Sequence, residues 1–99
     1  MSTHIKKDQW VYVVVQNPNN NAQYLGQQEE DTGISFIPTF LEKEDALMCM
    51  NLMARDKQKL FEVQAVIYEE LVSHAATAGF RLYLLNKAGE IIEKITPAD

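Results

Sequence analysis

Short runs in which apolar and polar residues alternate every second position are interleaved with two segments of helical period. Trp10-Val11-Tyr12-Val13-Val14-Val15 is β-branched and aromatic throughout, which predicts a strand. Both of its alternating faces are apolar. That predicts a central strand covered on both sides, or by helices on one side and a partner on the other. Gln23 to Gln27 is a weaker strand that would return antiparallel. Ile34 to Phe40 alternates, with Ile34, Phe36, Pro38 and Phe40 on one face and Ser35, Ile37 and Thr39 on the other. Proline cannot donate to a ladder, so Pro38 predicts an edge strand, or one that ends near it. Phe61 to Ile67, Phe80 to Leu85 and Glu90 to Ile95 complete the strands.

Glu42-Lys43-Glu44-Asp45 opens a helix, its carboxylates favoured by the positive end of the helix dipole. Thr39, three residues before Glu42, is placed for a capping box. On a helical wheel Ala46, Cys49, Met50 and Met53 share one stripe, with Met48 and Leu52 to one side of it. Fraying is expected through Asp56-Lys57-Gln58. Tyr68 to Ala78 forms the second helix, with Tyr68, Leu71, Val72, Ala75 and Ala76 on the apolar face and Gly79 as its C-terminal cap. Asn17 to Asn21 and Asn86 to Gly89 are turns, and 28–33 is an acidic loop.

The predicted order is β-(β)-β-α-β-α-β-β. Hairpins at both ends argue for an α+β fold: a mostly antiparallel sheet of five or six strands with both helices on one face. One domain spans 9–96, after a flexible lead-in, 1–8, and before a short tail, 97–99.

Composition narrows the function. The 99 residues are 46% hydrophobic and 23% charged, ordinary for a globular domain. The net charge of −5 argues against nucleic-acid binding, and the only basic cluster is Arg55, Lys57 and Lys59. The single cysteine excludes an internal disulfide and suits a reducing compartment. No apolar signal region follows the polar start, and no apolar run is long enough to span a bilayer. The expectation is a cytoplasmic protein without membrane contact.

Cys49 is the one candidate nucleophile, but it lies two turns into a helix on the apolar stripe, which predicts a buried thiol. His4 and His74 have no motif that places them beside it. No paired zinc-ligand spacing exists. The acidic loop 28–33 and the helix start at 42–45 would hold a divalent cation, or border a small-molecule pocket, if they converge. No cofactor is expected. The residues left without a role in one core are Trp10, Tyr12, Val14, Met48 and Leu52. They are the candidates for contact with a protein partner or a second copy.

The junction Phe36-Ile37-Pro38-Thr39-Phe40-Leu41-Glu42-Lys43-Glu44-Asp45-Ala46 resembles the start of SseB-like N-terminal domains. In those, a short proline–x–phenylalanine strand enters an acid-rich turn, and an alanine opens a helix. A related cyanobacterial and plant family of unknown function has a similar strand and acidic run. The resemblance implies a small α+β domain without catalytic residues, acting through protein contacts. It carries over no functional residue.

Overall fold

The structure, a computed structural model, describes residues 4–17, 22–53 and 60–95. Nine elements follow in chain order: β1 (Trp10–Gln16), β2 (Gln23–Tyr24), β3 (Gln27–Gln28), β4 (Ser35–Thr39), α1 (Lys43–Met53), β5 (Phe61–Ile67), α2 (Tyr68–Ala78), β6 (Arg81–Leu85) and β7 (Ile91–Ile95). The fold is α+β. Its strands form two sheets, ordered β2-β1-β5 and β3-β4-β6-β7. Every pairing is antiparallel except that of β4 with β6.

Among the described residues the two sheets join at one residue pair. Tyr12 N–H donates to the Phe40 carbonyl, and Phe40 N–H donates to the Tyr12 carbonyl, both at 2.9 Å. From this joint β1 and β4 diverge. Val15 and Gln16 take β2 as their neighbour, while Ser35 and Phe36 take β3. The segment from Gln23 to Gln28 thus fills the wedge between the diverging strands. Gly26 lies where it passes Phe80: a Cβ there would sit 2.6 Å from the Phe80 ring.

β4 ends one residue past Pro38, as one of the two expectations has it, but Pro38 is buried in an interior strand and not on an edge. The wedge explains the difference. Backbone groups alternate in direction along a strand, so Pro38 presents its nitrogen to the same side as Phe40. On that side β3 ends opposite Phe36 and Tyr12 pairs with Phe40. Pro38 falls in the gap between them, where no ladder partner is missed. Thr39 does not cap α1 as expected. It belongs to β4, its hydroxyl donates to the Ile37 carbonyl at 3.2 Å, and α1 starts at Lys43.

The helices lie on opposite sides of the joined sheets, which corrects the expectation that both share one face. Val11, Val13 and Val15 join Ile37, Leu82 and Leu84 beneath Leu71 and Ala75 of α2. The alternate residues Phe36, Phe40, Tyr83 and Leu85 gather with Ala46 and Cys49 of α1, and Tyr12 and Val63 pack against them. The reason is in the strands. β1, β4 and β6 are apolar on both faces, and each face needs its own cover.

Gly79 ends α2 in left-handed geometry (φ 80°), with its N–H directed at the Ala75 and Ala76 carbonyls. The lead-in is not loose over its described part. Ile5 is buried in the α2-side core, Gln9 N–H bonds the Lys6 carbonyl, and Glu69 N–H bonds the Lys7 carbonyl. One isolated apolar residue leaves no periodic signal, so this docking had none in the sequence. The tail 97–99, the expected fraying at 56–58 and most of the asparagine turn lie outside the described residues. Asn17 opens that turn in left-handed geometry (φ 54°).

Leu71 is fully buried at the centre of the α2-side core. Leu71→Ala should lower unfolding stability by about 2–5 kcal/mol in a urea titration. A loss below about 1 kcal/mol would contradict α2 as the cover of that face.

Candidate contact surface

Cross-strand neighbours put Trp10, Tyr12 and Val14 on the side of the sheet that carries α1, opposite Ile67, Ala65 and Val63 of β5. α1 rests on β1 and β5 and shields the middle of this face. Val14 is 1% exposed and is therefore core, which removes it from any contact surface. Its burial also accounts for the two-sided apolar character of β1 without a partner. Tyr12 is half-buried against the α1-side core. Trp10, at the start of β1, is 55% exposed. Beside it Ile67 is half-buried and Ala65 exposed.

On α1, Ala46 and Cys49 face inward while Met48 is 53% exposed. Leu47 is exposed too. The side chain of Leu52 lies outside the described residues. Of the five contact candidates, Trp10 and Met48 are thus at the surface and Tyr12 is partly so. Alternation alone did not single out Ala65, Ile67, Leu60, Ile91 and Ile92, of which Leu60, Ile91 and Ile92 are large exposed apolar residues. Strand β5 was legible as a strand; that its outer edge has no strand partner among the described residues required the strand order.

The acidic loop has a structural task. Glu29 Oε1 accepts from the Thr32 hydroxyl at 2.8 Å and from the Tyr83 hydroxyl at 3.1 Å. Glu29 Oε2 accepts from Lys94 Nζ at 2.8 Å. Lys94 also lies over the Tyr83 ring, 5.4 Å from its centroid, and Tyr83 stacks on Phe36 at 4.3 Å. The loop is thereby latched onto β4, β6 and β7. Hydrogen bonding from Lys94, then from Thr32, holds the Glu29 carboxyl below its ordinary pKa. The same bond raises the Lys94 ammonium. Burial, followed by the bond to Glu29, raises the Tyr83 phenol. No group of three or more His, Cys, Asp or Glu side chains able to hold a metal forms among the described residues.

Cys49 is 1% exposed, and burial pushes its thiol up from the ordinary cysteine value. That is opposite to what a nucleophilic cysteine needs. The histidines are engaged elsewhere: His4 Nδ1 with Glu93 at 3.2 Å, and His74 Nδ1 with the Tyr24 hydroxyl at 2.9 Å. An open cleft of about 690 Å³ lies beside the wedge, lined in part by Gln16, Gln23, Tyr24, Gln27, Gln28 and Phe80. Its lining includes none of Glu42, Glu44 or Asp45, so it is not the pocket the acidic residues suggest.

No protein-family model, curated protein or solved structure matches the chain. No helix among the described residues is long and apolar enough to cross a membrane.

The Glu29 latch predicts a pH dependence with a definite sign. A carboxylate held below its unfolded value of about 4.3 adds stability above that pH, and loses it as pH falls through the folded value. Lys94 acts conversely, adding stability below about 10.4 and losing it as pH rises through its own raised value. Glu29→Gln should therefore be less stable than wild type at neutral pH and converge with it in acid. Urea midpoints measured from pH 7 to pH 2 test this. A wild-type advantage that persists unchanged into acid would sink the latch.

Proposed function

We propose that the chain is a small non-catalytic module that works through protein–protein contact, in the first instance with a second copy of itself. The observation that carries this reading is Trp10. A tryptophan left 55% exposed on the α1 side of the sheet, with half-buried Ile67 and exposed Ala65 beside it, is the residue type that anchors protein contacts. Exposed Met48, on the helix that covers the same side, is a second adaptable apolar residue at the surface. The likeness of 36–46 to SseB-like N-terminal domains points the same way, and a cytoplasmic setting suits the lone Cys49 thiol. The test joins sedimentation to Trp10 fluorescence over a concentration series. Association should shift the emission to the blue and shield Trp10 from acrylamide. Trp10→Glu should weaken association at least tenfold, as about 1.4 kcal/mol or more would. A chain that stays monomeric, with Trp10 quenchable throughout, would overturn self-contact.

A second reading rests on the glutamine-lined cleft. Among the described residues its lining has amides, two aromatic rings and no ionised side chain, which suits a neutral polar small molecule such as a sugar or nucleobase. Thermal shift against panels of neutral and charged metabolites tests it. Stabilisation by neutral compounds is the expected result; stabilisation by none would remove this reading.

A further inference from the structure

The joint that unites the sheets also fixes which way every backbone group of β5 points. The Tyr12 N–H and C=O are directed at Phe40, away from β5. By alternation Val11, Val13 and Val15 direct theirs toward β5, where they face Val66, Gln64 and Glu62. The ends of the strand agree. Asn17 N–H reaches the Leu60 carbonyl, and Tyr68 N–H reaches the Gln9 carbonyl. Phe61, Val63, Ala65 and Ile67 therefore present N–H and C=O on the outer side of β5, which has no strand partner among the described residues.

An open edge is ordinarily blunted by shortness, lysine, proline or a bulge. β7, the other long terminal strand, carries Glu93 and Lys94 and lies against a ladder irregularity at Leu84/Leu85. β5 has none of these devices. It is seven residues long, pairs with β1 in unbroken register, and has Glu62 as its sole ionisable residue.

We propose that β5 is a homotypic docking edge, on which two copies pair antiparallel about Gln64. This rests on the contact reading above and supplies its geometry. The register follows from hydrogen bonding, apolar match and charge. Pairing about Gln64 aligns all seven residues. It sets Val63 opposite the second copy's Ala65, and Phe61 opposite its Ile67. These are the residues whose backbone groups point outward. Their side chains share the α1 side, so the apolar strip continues across the junction, with Trp10 next to Ile67 at its rim. Glu62 comes opposite Val66, and the two Glu62 carboxylates stay roughly 13 Å apart along the strands. Pairing about Glu62 would instead oppose like charges, which is destabilising.

Two substitutions test the edge, with sedimentation as the common readout. Ala65→Pro removes an outward N–H and leaves the bonds to β1 intact, a position an edge strand tolerates. It should raise the dimer dissociation constant at least roughly tenfold, with secondary structure retained. Gln64→Cys tests the register even if the proline variant does not fold. Opposed residues at a non-hydrogen-bonded antiparallel pair lie about 4.5 Å apart, within disulfide reach. Mild oxidation should join two Gln64→Cys chains, while Glu62→Cys stays unjoined and buried Cys49 stays silent. A dimer that is lost in Trp10→Glu but unchanged in Ala65→Pro, without a Gln64→Cys disulfide, would overturn the edge and keep the contact surface. A wild-type chain that never associates would overturn both.

Discussion

One pair of backbone hydrogen bonds, between Tyr12 and Phe40, sets the layout of this domain. It is the described backbone link between the three-stranded and four-stranded sheets, and it lets them act as one two-faced layer. The core clusters run across it: β1 contributes to the same buried clusters as β4 and β6, on both sides. Because the strands meet at a single pair and then part, they leave a wedge. The wedge accounts for the short strands β2 and β3, for a proline within an interior strand, and for the glutamine-lined cleft beside it.

A layer apolar on both faces consumes both helices. α2 covers one side through Leu71 and Ala75, and α1 the other through Ala46 and Cys49. Each helix spans 11 described residues, and apolar side chains at the ends of the layer stay exposed. Trp10 is exposed at one margin; Ile91 and Ile92, on the last strand, are exposed at the other. The Glu29–Lys94–Tyr83 latch holds the acidic loop against the four-stranded sheet. The Trp10 margin and the outer edge of β5, unpaired among the described residues, lie next to each other. Contact between chains is the use we propose for these features.

The strands and helices were legible because their periods are strong. The alternation of Phe61 to Ile67 and the helical spacing of Tyr68, Leu71 and Ala75 depend only on local backbone geometry. So does the glycine cap at Gly79. Cys49 as a buried thiol also followed from its place on the wheel. The candidate surface was only partly legible. Trp10 and Met48 are exposed, whereas Val14, which has the same composition signal, is core. Apolar character marks a residue for burial but does not say whether its own chain or another supplies the cover.

By itself, then, the sequence determined the α+β class and the order of the main strands and helices, though not the split of 23–28 into two short strands, since these arise from contacts between near neighbours in the chain. Tertiary structure alone decided the division into two sheets, the helices on opposite faces, the gap that accommodates Pro38 and the partners of Glu29. Each of these depends on residues far apart in sequence meeting in space: Tyr12 with Phe40, Glu29 with Lys94, Val13 with Gln64. No local period encodes such meetings, because they are selected by which arrangement covers both faces of the strands at once.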